Sequence, residues 1–77
     1  MQRSLGQTIR DLRASRGYSQ ETFAQAVGLH RTYNSDIERG ERNVSLRNLV
    51  RISNTLELPL SQLLSIAERS LIQMMED

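Results

Sequence analysis

The sequence predicts an all-α fold of five helices. Apolar residues recur at i, i+3 and i+4 spacings, whereas the period-two alternation of Val, Ile and Thr that marks strands is missing. Three of the four glycines, at positions 17, 28 and 40, and the one proline separate the short helical segments. A chain of 77 residues suits one small domain, since each half of it would be too short to bury its own core. We therefore expect one helical domain over residues 1–77.

The first two helices are predicted from their ends and their inner faces. Helix one ends at Gly17, which can adopt the left-handed conformation that ends a helix. Its inward positions are Leu5, Ile9 and Leu12. Helix two starts after Ser19 as N-cap and ends at Gly28, which makes it about two turns long. Its inward positions are Phe23, Ala24 and Val27.

The third helix follows helix two after a short turn. It is expected to be capped by His30 or entered at Arg31, to run to Arg39 and to stop at Gly40. The turn of three residues begins with Gly28. Two short helices with a glycine at the break between them are typical of a helix-turn-helix, in which the second helix is presented outward.

Helices four and five complete the prediction. Ser45 is the expected N-cap of helix four, and Pro59 opens helix five, which runs from about Leu60 to Met75. The inner positions of helix four are Leu46, Leu49, Val50, either Ile52 or Ser53, and Leu56. The apolar stripe of helix five contains Leu60, Leu63, Leu64, Ala67, Leu71 and Met74, flanked by Ile66, Ile72 and Met75. This stripe is wider than one small core can cover.

Charge is distributed unevenly along the chain, although the formal net charge is only +1. Residues 1–51 contain nine arginines and five acidic residues, and residues 52–77 contain one arginine and four acidic residues. Every basic residue besides the histidine is arginine, whose planar fork suits phosphate and guanine. A GC-rich coding sequence would give the same bias, so composition leaves both explanations open.

Several classes of function are disfavoured by residue content. Cysteine is absent, which excludes disulfides and thiolate metal sites and favours helix packing or a partner subunit as the source of stability. No apolar run exceeds two residues, so we expect no secretory segment or membrane span and a cytoplasmic protein. No nucleophile–base set, metal-ligand spacing or phosphate loop is visible. We expect no enzyme activity, no cofactor, no metal and no small-molecule ligand.

The third helix has little to bury. On a helical wheel, Ile37 and Glu38 share the inner side with Asn34, and Tyr33 lies at the edge. The residues expected to point away from the body are Thr32, Ser35, Asp36 and Arg39. Such a helix is either a solvated surface or a contact surface for a polar ligand. Duplex DNA is a candidate ligand, because its major groove admits one α-helix. Arg31, Thr32 and Tyr33 would then reach deepest, because they form its N-terminal turn.

Other polar residues lie where DNA phosphates would run. Gln20 is in the first turn of helix two, where free N–H groups favour an anion, and Arg42 and Asn43 follow helix three. The residues that would add a non-specific attraction are Arg10, Arg16 and Arg47. Each has a simpler structural explanation: Gln20 forms helices well and Asn43 shapes turns. Their ordered spacing together favours double-stranded DNA as the partner.

The motifs in order are Ser19-Gln20-Glu21-Thr22-Phe23-Ala24, Gly28-Leu29-His30-Arg31-Thr32-Tyr33 and Ile37-Glu38-Arg39-Gly40. Over roughly residues 5–65 the chain resembles the phage-repressor-like (Xre) helix-turn-helix family. The string from His30 to Tyr33, with Glu38 to Leu46, looks like the controller proteins of restriction–modification systems.

The resemblance implies a five-helix transcriptional regulator that binds a palindromic operator as a homodimer. It implies that Arg31, Thr32, Tyr33 and Ser35 meet bases or flanking phosphates, and that Gln20, Arg42 and Asn43 contact the backbone. Arg13 would pair with Glu38 behind the recognition helix, because an inward carboxylate needs a partner. The C-terminal helix, about residues 60–75, would form the two-fold interface through Leu60, Leu63, Leu64, Ile66, Leu71 and Met74.

Two positions differ from the usual family pattern. Asn34 replaces a β-branched apolar residue, and its amide on the inner side costs about 1 to 3 kcal/mol if it is left unpaired. Glu57 replaces the glycine at the end of helix four. The alternative function is that of an antitoxin or another protein-interaction module, which would use the same helices, and helix five above all, to bind a different protein.

Overall fold

The computed structural model of the chain describes residues 1–76, which form five α-helices. These helices are α1 (Gln2–Ser15), α2 (Gln20–Val27), α3 (Arg31–Glu38), α4 (Leu46–Thr55) and α5 (Leu60–Glu76). Residues 1–76 contain no strand, and none of their helices has the length and apolar character needed to cross a membrane. The prediction of an all-α, five-helix fold is confirmed.

The helix ends form at the predicted polar caps and left-handed residues. The Ser19 hydroxyl accepts from the Thr22 N–H at 3.0 Å, and the Thr22 hydroxyl in turn accepts from the Ser19 N–H at 3.0 Å. Ser45 caps α4 by accepting from the Asn48 N–H at 3.2 Å. Glu57, after α4, has a φ of 60°, so it takes the left-handed conformation that glycine adopts most readily.

The core is a single apolar cluster to which all five helices contribute. Its buried members are Leu5, Ile9, Phe23, Val27, Ile37, Leu49, Ile52, Leu56, Leu58, Leu63 and Ala67. Phe23 is completely buried and packs edge-on against Tyr18, with ring centroids 5.4 Å apart. Full burial of one such side chain contributes about 1.5 to 3 kcal/mol, so this cluster is what holds the helices together.

The backbones of α1 and α3 come close together at Gly6. A Cβ atom at Gly6 would lie 2.8 Å from the carbonyl oxygen of Glu38 and closer still to that of Ile37. Real Cβ atoms do not approach backbone oxygens so closely, and backbone cannot move aside as a flexible side chain can. Only glycine fits, and its small size brings α3 against α1.

Two predicted inner residues of α4 were placed wrongly. Leu46 is 67% exposed and Val50 is 40% exposed. Val50 follows Leu49 by one position, which turns it about 100° away from the buried stripe of Leu49, Ile52 and Ser53. Leu46 lies in the first turn of α4, and the neighbouring helices leave it exposed at that end. In α1, Leu12 is half-buried and packs against the core rather than within it.

Candidate nucleic-acid interface

The turn between α2 and α3 places the two helices as a helix-turn-helix. The helix α2 ends at Gly28, whose φ of 88° reverses the chain, and the N–H groups of Gly28 and Leu29 both donate to the Ala24 carbonyl at 2.8 Å. Leu29 then packs against the core as a partly buried side chain. Three residues therefore suffice to redirect the chain into α3, as predicted.

The helix α3 contributes only Asn34, Ile37 and Glu38 to the interior. Arg31 and Thr32, in its first turn, are exposed. Tyr33 lies at the edge and packs against the core. Ser35 and Asp36 were expected to point away from the body and are instead half-buried, because their side chains bond to neighbouring helix and loop residues. The outward surface of α3 is therefore concentrated at its N-terminal end.

A buried ion pair holds α3 against α1. The Arg13 guanidinium donates to both carboxylate oxygens of Glu38, at 2.8 and 3.1 Å, and also to the Tyr18 carbonyl at 2.7 Å. The Glu38 side chain is 1% exposed. A bidentate arginine satisfies a buried carboxylate well, because two parallel N–H groups match its two oxygens. The structure thus brings together the two residues that the family resemblance paired.

Asn34 is completely buried and belongs to the same polar cluster. Its Nδ2 donates to Glu38 Oε2 at 3.1 Å, while its Oδ1 has no hydrogen-bond partner. The amide on the inner side is therefore half satisfied, and the helix is not rotated to expose it. The sequence predicted that the Asn34 amide would need a hydrogen-bond partner. Glu38, four residues later on the same helix, is that partner.

Gln20 links α2 to α3. Its Oε1 accepts from the Ser35 hydroxyl at 3.2 Å, and its Nε2 donates to Glu38 Oε1 at 3.4 Å. Gln20 is half-buried at the start of α2, with its side chain lying across α3. The residue predicted to hold a phosphate is therefore also fixed to α3.

Tyr33 is held by residues from α4 and from the loop after α3. Asn48 Nδ2 donates to the Tyr33 hydroxyl at 3.3 Å, and the guanidinium carbon of Arg42 lies 5.0 Å from the centroid of the tyrosine ring. A cation over an aromatic ring at this distance is attracted by the ring's negative face. Sequence reasoning missed Asn48, because its partner lies 15 residues away and no local pattern connects them.

Acidic residues limit the positive charge of this surface. Asp36 forms ion pairs with Arg39 and Arg42, the second at 3.6 Å, and Glu41 pairs with Arg39 at 3.3 Å. These arginines are half exposed, so the pairs are screened by solvent. Among residues 1–76, Arg31 and Arg47 form no ion pair with an acidic side chain, which leaves their charge available to an anionic ligand.

The other predicted backbone contacts lie apart from one another. Asn43 is exposed and its side-chain amide contacts that of Gln2, at the start of α1. Arg16 is exposed just after α1 and lines a surface pocket with Thr55 and Glu57, at the turn before α5. The described residues contain no group of three or more His, Cys, Asp or Glu side chains that could hold a metal ion.

The predicted interface residues of α5 differ in how much surface they offer. Leu63 is completely buried in the core, because α5 packs against α1 and α4 along this side, so including it in a two-fold contact was wrong. Leu60, Leu64, Ile66 and Leu71 are half-buried. Met74 is 38% exposed, and Ile72 is 48% exposed. The exposed apolar surface of α5 is therefore at its C-terminal end.

Known proteins resemble this chain over most of its length. The helix-turn-helix family model matches residues 9–63. Control protein C.BamHI from Bacillus amyloliquefaciens is 56% identical over 52 residues, which cover 66% of this chain and 64% of that protein, slightly less than two thirds of its length.

Two solved structures extend the comparison. The restriction–modification controller protein C.AhdI from Aeromonas hydrophila has a TM-score of 0.75 and 43% identity, over 78% of this chain and 91% of that one. The controller protein C.Esp1396I, as a tetramer with its natural 35 base-pair operator, has a TM-score of 0.80 and 29% identity, over 90% and 91% of the two chains. This chain belongs to the helix-turn-helix family of transcription regulators, alongside the restriction–modification controller proteins.

Proposed function

We propose that the chain is a transcription regulator that binds a palindromic DNA operator as a homodimer and acts as the controller protein of a restriction–modification system. The observation that carries the proposal is the exposed N-terminal turn of α3, with Arg31 and Thr32 outward, on a helix fixed from behind by the Arg13–Glu38 pair. Its role is binding rather than catalysis, and we place it in the cytoplasm, where bacterial DNA is found.

Duplex DNA fits this surface in shape and chemistry. The major groove of B-DNA admits one α-helix, and an arginine at the leading end of that helix can donate to both acceptors of a guanine. Arg31 is assigned this role, with Thr32 beside it and Tyr33 at the groove edge. Gln20, Arg42, Asn43 and Arg16 are assigned to the phosphate backbone, where contacts fix the position of the protein and carry no base information.

A homodimer accounts for the apolar surface that one subunit leaves uncovered. Ile72 and Met74 are exposed near the end of α5, and apolar surface of this kind is stabilised by contact with a second copy. Two copies of α3 would then enter successive major grooves on one side of the duplex, about 34 Å apart. The operator is expected to be an inverted repeat with that spacing between the centres of its half-sites.

A mobility-shift titration tests the proposal. The probe is a duplex that contains the DNA upstream of the chain's own gene, and the control is a scrambled duplex of the same length. We expect retardation of the upstream duplex at low salt and an affinity that falls steeply as salt is raised. Failure to retard any upstream fragment at low salt would reject DNA binding and favour the protein-interaction alternative.

Arg31→Ala separates base reading from general attraction. We expect it to reduce affinity for the upstream duplex by about 5- to 150-fold, because a bidentate arginine–guanine contact is worth about 1 to 3 kcal/mol. Affinity for the scrambled duplex should fall much less. The matched control is Arg69→Ala, which removes an exposed arginine of α5. Equal losses on both duplexes for Arg31→Ala would contradict the base-reading role.

A further inference from the structure

We propose that Ser35 acts on DNA binding through Gln20, as the residue that orients the Gln20 amide toward a DNA phosphate, rather than by reading a base itself. The inference rests on the proposed function. It deepens that function by changing the role of one residue of the recognition helix. The observation behind it is that both ends of the Gln20 amide are held by α3.

The hydrogen of the Ser35 hydroxyl is already committed. It points to Gln20 Oε1, at an oxygen–oxygen distance of 3.2 Å, so Ser35 has only acceptor lone pairs left for another partner. The residue is also half-buried, whereas Arg31 and Thr32, one turn earlier on the same helix, are exposed. A hydroxyl that is recessed and already bonded is poorly suited to reading a base edge.

The Glu38 carboxylate decides which end of the Gln20 amide faces it, and the Ser35 bond holds the amide there. A phosphate offers only acceptors, so Gln20 must present an N–H group to it. With Oε1 facing the Ser35 hydroxyl, Nε2 lies 3.4 Å from Glu38 Oε1 and uses one hydrogen there, which leaves its second N–H available. A flipped amide would turn its carbonyl oxygen toward the Glu38 carboxylate, an acceptor against an acceptor. Glu38 therefore selects this orientation, and the Ser35 hydroxyl, which could bond to either end of the amide, holds the amide in place.

Glu38 can perform this task because it is itself fixed. Arg13 donates to both of its oxygens and Asn34 donates to one, so the carboxylate cannot turn away from Gln20. The chain of contacts thus runs from α1 through α3 to the first turn of α2. Preorganisation of a binding group in this way reduces the ordering cost that is incurred when the ligand arrives.

A double-mutant cycle on the whole chain tests the inference. The proteins are wild type, Ser35→Ala, Gln20→Ala and the double variant, each titrated against the upstream duplex and the scrambled duplex. We expect Ser35→Ala to weaken binding to both duplexes by the same factor, about three- to tenfold, which corresponds to one hydrogen bond. In the Gln20→Ala background, Ser35→Ala should have no further effect, because the group that it orients is gone.

Two further measurements exclude a general loss of structure. Ser35→Thr keeps a hydroxyl and should bind within about twofold of wild type, since the bond to Gln20 can re-form. The slope of log affinity against log salt should be unchanged in Ser35→Ala, because no cation is removed, whereas Arg42→Ala should reduce it by about one. The matched control is Ser65→Ala, an exposed serine on α5, which should bind as wild type.

The outcomes are distinguishable from failure of the proposed function. If wild type retards neither duplex, DNA binding itself is rejected. If wild type binds and the two single losses multiply in the double variant, Ser35 acts independently of Gln20 and the inference is wrong. A Ser35→Ala loss confined to the upstream duplex would make Ser35 a base reader, and no loss on either duplex would also overturn the inference.

Discussion

Both α3 and α5 pack against α1, and the two contacts are built from different chemistry. Two of the three buried residues of α3 are polar, Asn34 and Glu38, and Glu38 is paired with Arg13 of α1. The two buried residues of α5 are Leu63 and Ala67, both completely buried and apolar. One contact combines a bidentate ion pair with a close backbone approach at Gly6, and the other consists of close-packed apolar side chains.

The two kinds of contact suit the two helices to different tasks. Hydrogen bonds have preferred directions, so the Arg13–Glu38 pair fixes the rotation of α3 as well as its distance from α1. Apolar burial has no such direction and depends on the area removed from water. A helix that presents chosen side chains to a ligand benefits from a fixed rotation. A helix that ends in exposed apolar residues, as α5 does at Ile72 and Met74, has surface left for a partner.

The largest expected effect comes from breaking the polar contact. Arg13→Ala leaves the buried Glu38 carboxylate without its cation, and the loss of one partner of a buried pair typically costs about 3 to 5 kcal/mol. Urea unfolding followed by circular dichroism should show this decrease in the free energy of unfolding. The control is Arg39→Ala, which breaks ion pairs at a half-exposed side chain and should cost less than about 1 kcal/mol. If the two variants lose similar amounts of unfolding free energy, the buried Arg13–Glu38 pair contributes no more to stability than the half-exposed pairs of Arg39.

The second effect concerns the distance between α1 and α3. Gly6→Ala places a methyl group against the backbone carbonyls of Ile37 and Glu38, so the helices must separate, and we expect a loss of about 3 kcal/mol. Gly17→Ala is the comparison, because nothing lies within 4 Å of its added Cβ and only its φ of 81° opposes the change. It should cost about 1 kcal/mol. Thermal unfolding measures both, and a Gly6→Ala variant as stable as Gly17→Ala would contradict the close approach.

The third effect tests the apolar surface of α5 as the contact between subunits. Ile72→Glu puts a charge into the proposed interface and should weaken the dimer at least about tenfold, or about 1.4 kcal/mol, without destabilising the subunit. Light scattering over a concentration series measures the change. Leu46→Glu is the matched variant, at the exposed start of α4. If Leu46→Glu dissociates the dimer and Ile72→Glu does not, the two-fold contact belongs to α4.

The smallest effect probes the half-satisfied amide. Asn34→Val removes the unpartnered Oδ1 and also one of the hydrogen-bond donors to Glu38. The Glu38 carboxylate still accepts hydrogen bonds from Arg13 and Gln20. The gain and the loss are both about 1 to 2 kcal/mol, so stability should stay within about 1 kcal/mol of wild type. Asn34→Asp is the contrasting variant, because it places a second carboxylate against Glu38 and should destabilise clearly. If Asn34→Val lowers the free energy of unfolding by more than about 2 kcal/mol, the Asn34–Glu38 hydrogen bond stabilises the protein by more than the unpartnered Oδ1 destabilises it.

The elements with local causes could be predicted from the order of the residues alone. Ser19 and Ser45 cap their helices, and Gly28 ends α2, because capping and left-handed turns depend on residues a few positions apart. The three-residue turn and the nearly core-free α3 also follow from short-range pattern, and with them the assignment to the helix-turn-helix family.

Which side chains share partners across helices depends on how the helices pack, and no local pattern predicts it. The bonds of Gln20 to Ser35 and Glu38, and of Asn48 to Tyr33, join residues 15 to 18 positions apart. The same holds for exposure: Leu46 and Leu63 are both leucines on amphipathic helices, yet one is 67% exposed and the other is completely buried. Periodicity gives the face of a helix, but how far neighbouring helices cover that face depends on how all five pack.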